Sequence, residues 1–117
     1  MLPPANRLRK EKEIKRALAS RNGRKGGQLM CKTAENGLNT ARFCFIVSKR
    51  VSNKAVVRNK LKRCLREAVG VILARIESGF DCAMIAYPGL ETKGYQELAM
   101  LTEKLLKLSG IIGNQQL

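Results

Sequence analysis

Hydrophobic and polar residues recur with helical spacing over a strongly basic stretch in the middle of the chain. Between Lys54 and Glu67 the sequence carries six cationic side chains in fourteen residues and keeps an apolar residue at every turn. At about 100° per residue, the apolar positions share one face and the basic positions lie together on an adjacent face. The pattern predicts a helix from Lys54 to Glu77, closed by Ser78-Gly79, that packs by its apolar face and presents a positive stripe to solvent. The apolar face comprises Val57, Leu61, Cys64, Leu65, Ala68 and Ile72, and the adjacent face comprises Arg58, Asn59, Lys62, Arg63 and Arg66.

Weaker patterns predict two more helices and three strands. Lys10–Leu18 and Gly94–Leu108 have the spacing of amphipathic helices. Gln28–Ala34, Ala41–Ser48 and Asp81–Tyr87 have the short apolar runs of strands. The order α-β-β-α-β-α therefore predicts one α+β domain over residues 1–117, a two-layer sandwich with helices on one face of a small sheet.

Turn residues divide these elements. The Asn22-Gly23 and Gly26-Gly27 pairs are expected to interrupt the chain after the first helix. A turn at Asn36-Gly37 is expected to join the first two strands as a hairpin, and residues 110–117 are expected to fray. The second strand places Phe43, Phe45 and Val47 on one face and Cys44, Ile46 and Ser48 on the other. One face must belong to the core, so Phe43 and Phe45 are candidates both for packing and for stacking on a nucleic-acid base.

The composition favours an anionic partner. The 117 residues, enough for one compact domain, include 23 Lys or Arg and 9 acidic residues, which gives a formal net charge of +14. A nucleic acid is the leading candidate for the partner and an anionic membrane surface is the second. No apolar run approaches the length of a membrane span, and the Met1-Leu-Pro-Pro start lacks the apolar stretch of a signal peptide. We therefore expect a cytoplasmic protein with no membrane partner. The basic residues 1–25 either bind the partner or form a solvated arm.

Residue types that carry catalysis or hold metals are scarce. The chain has no histidine, Asp81 is its only aspartate, and its glutamates form no close pair except Glu11 and Glu13. General acid–base catalysis and two-metal chemistry normally need such groups, so we predict no catalytic side chain and no protein-bound metal. The cysteines form no C-x-x-C pair and are expected to be reduced core residues; they are Cys31, Cys44, Cys64 and Cys82.

The basic stretch and the residues before it resemble a known sequence signature. Val47-Ser-Lys-Arg-Val is followed by Lys54-Ala-Val-Val-Arg-Asn-Lys-Leu-Lys-Arg and then by Arg66-Glu67. The bacterial ribonuclease P protein family has a V-S-K-K segment that runs into an A-V-x-R-N-R-(I/L)-K-R-x-x-R-E helix. The start of the chain and Gly79-Phe-Asp81 also resemble that family. Because the signature is long and position-specific, a chance match is improbable.

The resemblance implies a small protein that binds a large catalytic RNA and assists Mg²⁺-dependent removal of the 5′ leader from precursor tRNA. The RNA would perform the chemistry and bind most of the Mg²⁺, and the free protein would be monomeric. The implied fold is ribosomal protein S5 domain 2-like, with a left-handed β-α-β crossover through the basic helix. A ribosomal or RNA-chaperone-like protein without a catalytic RNA is the alternative, but it does not explain the ordered signature.

The family's functional positions correspond to particular residues of this chain. Lys60 replaces the second arginine of the R-N-R signature, which keeps the charge but loses the bidentate fork. Ile14 and Leu18 stand where family members often place aromatic residues, and Tyr87 stands where they often have arginine. The implied RNA-binding residues are Lys49, Arg50, Lys54, Arg58, Asn59, Lys60, Lys62, Arg63 and Arg66, and the implied leader cleft is lined by Ile14, Leu18, Lys32, Phe45 and Tyr87.

Overall fold

Three α-helices and a four-stranded mixed sheet make up the computed structural model, which describes residues 2–112. The predicted α+β class is confirmed. Short 3-10 turns occur at Pro4–Asn6, Leu73–Arg75 and Leu90–Thr92. In chain order the larger elements are α1 (Glu11–Leu18), β1 (Gly23–Gly26), β2 (Leu29–Glu35), β3 (Arg42–Ile46), α2 (Ala55–Val71), β4 (Phe80–Ala86) and α3 (Tyr95–Leu108).

The strands lie in the order β1-β2-β4-β3, and all pairs are antiparallel except β3–β4. Because β4 separates β2 from β3, the predicted hairpin between those two strands is wrong. A turn signal is local, whereas the pairing of β4 with both strands is set by long-range packing. Helix α2 joins the adjacent parallel strands β3 and β4 as a β-α-β crossover. A left-handed connection at this crossover is implied by the family resemblance.

Strand β1 is an element that the sequence pattern does not predict. Its four residues, Gly23-Arg24-Lys25-Gly26, contain no apolar side chain, and it pairs only with β2 at the edge of the sheet. Gly23 and Gly26, expected to interrupt the chain, instead form the first and last residues of this strand. Gly27 makes the turn into β2 at a φ of +57°. Helix α3 crosses closely above, since a Cβ on Gly26 would lie 3.1 Å from Cδ2 of Leu105.

Both faces of the sheet are covered by other parts of the chain. The almost continuous apolar run of β4 is typical of a strand that is buried on both faces. On one face, Phe43, Cys82 and Met84 join the main core, which also contains the buried sides of α2 and α3. On the other face, Cys44 and Ala83 form a smaller core under α1. Helices α2 and α3 thus form the predicted helical layer, whereas the expectation that all helices share one face is wrong for α1. The predicted division of β3 side chains between the two faces is confirmed.

The cysteines are free, and most of them are buried, as predicted. Cys31 and Cys82 are fully buried in the main core, where their sulfur atoms lie 2.8 Å apart. Burial raises the pKa of the Cys82 thiol well above its ordinary value. Cys44 is buried in the smaller core and Cys64 is partly exposed on α2.

The ends of α2 and α3 differ from the prediction. Helix α2 stops at Val71 rather than at residue 77, because the chain turns so that Leu73 and Ile76 can pack against the main core. Residues 110–112 do not fray. Ile111 and Ile112 are 1% and 6% exposed, and the Glu77 N–H donates to the Ile111 carbonyl at 2.7 Å. Residues 113–117, also expected to fray, lie outside the described residues.

The N-terminal segment is fixed along β3 rather than solvated as an arm. Leu2 and Leu8 are 0% and 4% exposed. The Leu8 N–H donates to the Phe43 carbonyl at 2.8 Å, and the Asn6 side-chain amide donates to the Ala41 carbonyl at 2.8 Å. Residues 2–8 therefore extend the edge of the sheet beside β3, which brings the Arg7 side chain close to α2.

Candidate nucleic-acid interface

Helix α2 holds the predicted positive stripe in a fixed orientation. Leu61, Leu65 and Ala68 are 4%, 0% and 3% exposed, so this side of the helix packs against the rest of the domain. The predicted apolar and basic faces are therefore confirmed as structural features. On the stripe, Asn59 and Arg63 are exposed, whereas Arg58, Lys62 and Arg66 are partly buried along its border with the core. Partial burial restrains the long side chains, which reduces the entropy that phosphate binding would cost. Lys60 is exposed beyond this border.

The β3–α2 loop continues the positive surface to the start of α2. Its residues Lys49, Arg50 and Lys54 are exposed. Two serines order the loop, since Ser48 Oγ accepts from the Arg50 N–H at 3.3 Å and Ser52 Oγ accepts from the Lys54 N–H at 3.1 Å. The first turn of α2 contains no acidic residue, so the partial positive charge of the helix N-terminus adds to these side chains. The loop and the stripe together form one anion-attracting surface, which we call the basic face.

The predicted leader-cleft residues lie on two sides of the sheet. Ile14 and Leu18 pack from α1 on the smaller core. Lys32 is on the same side, where its ammonium donates to the Leu18 carbonyl at 2.8 Å. Strand alternation also places Tyr87 there, beyond the end of β4. Phe45, in contrast, packs against the main core on the α2 side.

Tyr87 is held by contacts from the two antiparallel strands β1 and β2. Its hydroxyl donates to Sδ of Met30 at 3.8 Å, and Nζ of Lys25 lies 4.5 Å from the ring centroid. A cation over the face of a tyrosine ring is attracted by the ring quadrupole. This part of the sheet therefore offers an aromatic ring with a cation beside it, and Lys25 is a residue of that surface that the sequence reasoning missed.

A cavity of about 340 Å³ at the β3 edge brings together residues from both predicted sets. Ile14 and Phe45, predicted for the leader cleft, line it together with Lys62 and Arg66 of the stripe. Phe43 also lines it but is 1% exposed, so of the two phenylalanines only Phe45 is open enough to stack on a base. We call this space the edge cavity; its lining residues are Arg7, Leu8, Arg9, Ile14, Phe43, Cys44, Phe45, Lys62 and Arg66.

Arg7 and Arg9 are candidate binding residues that the sequence reasoning missed. Their only signal in the sequence is the general basic character of the first 25 residues. No periodicity marks them, because residues 7 and 9 lie outside the regular helices and strands, and only the pairing of Leu8 with Phe43 brings them beside α2.

A buried ion cluster fixes α1 to the sheet. The Asp81 carboxylate is fully buried and accepts from Arg42 at 2.8 and 2.9 Å and from the Asn36 amide at 2.9 Å. Arg16 of α1 reaches the same carboxylate at 3.3 Å, and Glu13 of α1 pairs with Arg42 at 3.1 Å. Burial by itself would raise the pKa of Asp81, but the hydrogen bonds from Arg42, Asn36 and Arg16 and the charge of Arg42 outweigh it and lower that pKa.

Acidic, cysteine and histidine side chains are scattered over the described residues. Nowhere between residues 2 and 112 do three histidine, cysteine or carboxylate groups come together as metal ligands. Asp81 and Glu13 are paired with Arg42. Within the same residues, no helix is long and apolar enough to cross a membrane.

The comparisons with known proteins agree with one another. A sequence model of the family described as ribonuclease P matches residues 2–109. The ribonuclease P protein component of Roseiflexus castenholzii is 37% identical over 111 residues, which cover 92% of this chain and 88% of the relative. That of Alkaliphilus oremlandii is 30% identical over 109 residues, which cover 93% and 95%. This chain belongs to the ribonuclease P protein family.

Solved structures show the same fold. A Staphylococcus aureus RNase P protein, a mutant described as defective in mRNA degradation activity, superposes with a TM-score of 0.85 at 26% identity. The superposition covers 92% of this chain and 91% of the other. The expected family resemblance is therefore confirmed both in sequence and in structure.

Proposed function

We propose that this chain is the RNA-binding subunit of a ribonuclease P ribonucleoprotein and assists removal of the 5′ leader from precursor tRNA. In this proposal the basic face binds phosphates of the catalytic RNA. The RNA performs the hydrolysis and binds the Mg²⁺, and no protein side chain takes part in the chemistry. The protein acts in the cytoplasm and is monomeric before it meets the RNA.

The observation that carries the proposal is the construction of the basic face. Arg58, Lys62 and Arg66 follow one another along one border of α2, next to the apolar side that is fixed in the main core. Arginine forks bind phosphate oxygens in pairs, and each neutralised phosphate releases condensed counterions from the RNA. A rigid row of such groups suits a structured RNA, because it matches a fixed row of phosphates without ordering a loop.

The side of the sheet that carries α1 is proposed to receive the single-stranded leader. Leu18 supplies apolar surface, Lys32 and Lys25 supply charge, and the Tyr87 ring supplies a stacking surface. Because these residues lie across the sheet from the main core, the leader and the catalytic RNA would contact different surfaces of the protein at the same time.

Reconstitution tests this function directly. Precursor tRNA is incubated with a bacterial catalytic RNA at low Mg²⁺, with and without the protein, and the cleavage rate is measured. The protein is expected to increase the rate, because its cations stabilise the RNA complex when Mg²⁺ is scarce. The double variant Arg63→Ala/Arg66→Ala is expected to lose most of that increase, whereas Lys104→Ala, which removes an exposed cation from α3, should keep it.

Two outcomes would contradict the proposal. The first is a cleavage rate that the wild-type protein leaves unchanged although the protein is folded and soluble. The second is equal affinity for the catalytic RNA and for unrelated structured RNAs of the same length. That result would favour the ribosomal or RNA-chaperone-like alternative, since general basic charge does not distinguish one folded RNA from another.

A further inference from the structure

The edge cavity has a composition that the RNA-docking role alone does not require. Its lining contains four cationic side chains, those of Arg7, Arg9, Lys62 and Arg66, and no acidic one. The Cys44 thiol does not add negative charge, because burial and the nearby Asp81 charge raise its pKa to about 11. The cavity is therefore a positively charged recess and not simply a gap between elements.

An aromatic ring lies in the wall of this recess. Phe45 packs against the main core on one side and remains partly exposed on the other. Ile14 and Leu8 complete an apolar wall. A recess with an apolar, aromatic wall and a cationic rim matches the two parts of a nucleotide, because the base stacks on rings while the phosphate binds guanidinium and ammonium groups.

The size of the cavity limits its occupant to a single nucleotide. Its volume of about 340 Å³ is at the lower end of the range for small-molecule sites, which runs from about 300 to 1,000 Å³. A base pair or a stacked helix does not fit such a space. An unpaired nucleotide can enter only if it has left the stack of its own strand.

The position of the cavity indicates which RNA supplies this nucleotide. Lys62 and Arg66 belong both to the positive stripe of α2 and to the cavity wall, so an RNA that lies on the stripe passes the mouth of the cavity. Lys32 and Lys25, proposed to contact the leader, lie on β2 and β1, which β4 separates from the β3 edge. The catalytic RNA is therefore the source that the geometry favours.

We propose that the edge cavity binds one unpaired nucleotide of the catalytic RNA, with its base against Phe45 and its phosphates held by Arg7, Arg9, Lys62 and Arg66. This inference rests on the proposed function. It adds a specific contact to a docking surface that otherwise recognises only phosphates. Arg7 fits this role, because Nε donates to the Leu2 carbonyl at 2.9 Å and orients the guanidinium while other N–H groups remain for a phosphate.

Chemical probing of the catalytic RNA at single-nucleotide resolution tests the proposal, using the full chain. Wild-type protein is expected to protect one unpaired base near the site of α2 docking. Phe45→Leu keeps an apolar side chain but removes the ring, so that base should regain its reactivity and the affinity should fall about fivefold, as for the loss of one base–aromatic stack. Phe45→Tyr keeps the ring and should preserve the protection. Circular dichroism of each variant establishes that it is folded.

The controls separate this proposal from the proposed function. Arg63→Ala changes the stripe outside the cavity and should weaken RNA binding without exposing the protected base. If Phe45→Leu leaves both affinity and protection unchanged while Arg63→Ala weakens binding, the cavity proposal is overturned and the docking function stands. If the base that depends on Phe45 belongs to the leader of added precursor tRNA, the assignment to the catalytic RNA is wrong. If wild-type protein does not bind the catalytic RNA, both proposals are wrong.

Discussion

The two faces of the sheet hold their helices by different means. The face under α2 and α3 belongs to a core of twenty buried residues, whereas the face under α1 has four. The face under α1 therefore has less apolar burial to hold its helix. The ion cluster around Asp81 provides a second attachment, because it connects α1 to β3 and β4. The basic face therefore rests on nonpolar packing that salt and pH change little, while the position of α1 depends on charge.

The largest expected effect comes from breaking the main core beneath the basic face. Leu65→Ala removes a fully buried side chain from α2 and should lower the free energy of unfolding by about 3 to 5 kcal/mol. Urea denaturation at neutral pH measures this loss. Leu108→Ala is the matched control on α3, where the leucine is 53% exposed, and it should change the stability by less than about 0.5 kcal/mol. Equal losses in both variants would show that α2 does not depend on the main core.

Breaking the ion cluster tests the other face. Asp81→Asn leaves Arg42, whose side chain is 16% exposed, without a full counter-charge, and should cost about 3 kcal/mol. Glu103→Gln removes the ion pairs with Arg75 at 2.8 Å and with Lys107 at 3.4 Å, but these side chains are at least one-third exposed, and the loss should be less than about 1 kcal/mol. A loss for Asp81→Asn no larger than for Glu103→Gln would mean that packing alone holds α1.

The pH dependence of the same pair of proteins sharpens this comparison. Because folding lowers the pKa of Asp81, its contribution to stability is fully present above the unfolded pKa of about 4 and is lost as the pH falls through the lower folded value. The stability difference between wild type and Asp81→Asn should therefore be constant from pH 5 to 7, at about 3 kcal/mol. It should shrink as the pH falls below about 4. A difference that grew on acidification would contradict the assigned shift.

For the basic face, the expected effect is on RNA binding and not on stability. Arg63→Ala should lower the slope of log affinity against log salt concentration by up to about 1, because one fewer phosphate is neutralised. Lys104→Ala makes the same change in net charge on α3, which lies outside the proposed interface. If both variants lower the slope equally, the protein binds RNA through its overall charge rather than through the positive stripe.

Sequence reasoning succeeded where the structure follows from local periodicity, and it failed where distant segments meet. The amphipathic pattern of α2 identified its buried and basic faces because both depend only on helical spacing. The insertion of β4 between β2 and β3 could not be predicted, since no local signal records which strands pair. For the same reason the edge cavity was missed, because it requires Arg7 and Arg9 to lie beside Lys62 and Arg66.

The smallest expected effect concerns the leader, and it tests whether the surface under α1 can gain a contact. Leu18 packs on the smaller core beside Lys32 and is partly exposed, so Leu18→Phe adds a ring next to the proposed path of the leader. The variant should tighten leader binding by about 1 kcal/mol, measured as the affinity for precursor tRNA with a leader relative to tRNA without one. Ile14→Phe is the matched control, because Ile14 lies one helical turn earlier and lines the edge cavity instead. A gain from Ile14→Phe and none from Leu18→Phe would place the leader at the β3 edge instead of on the surface beside Tyr87. The leader would then compete with the nucleotide proposed for the edge cavity.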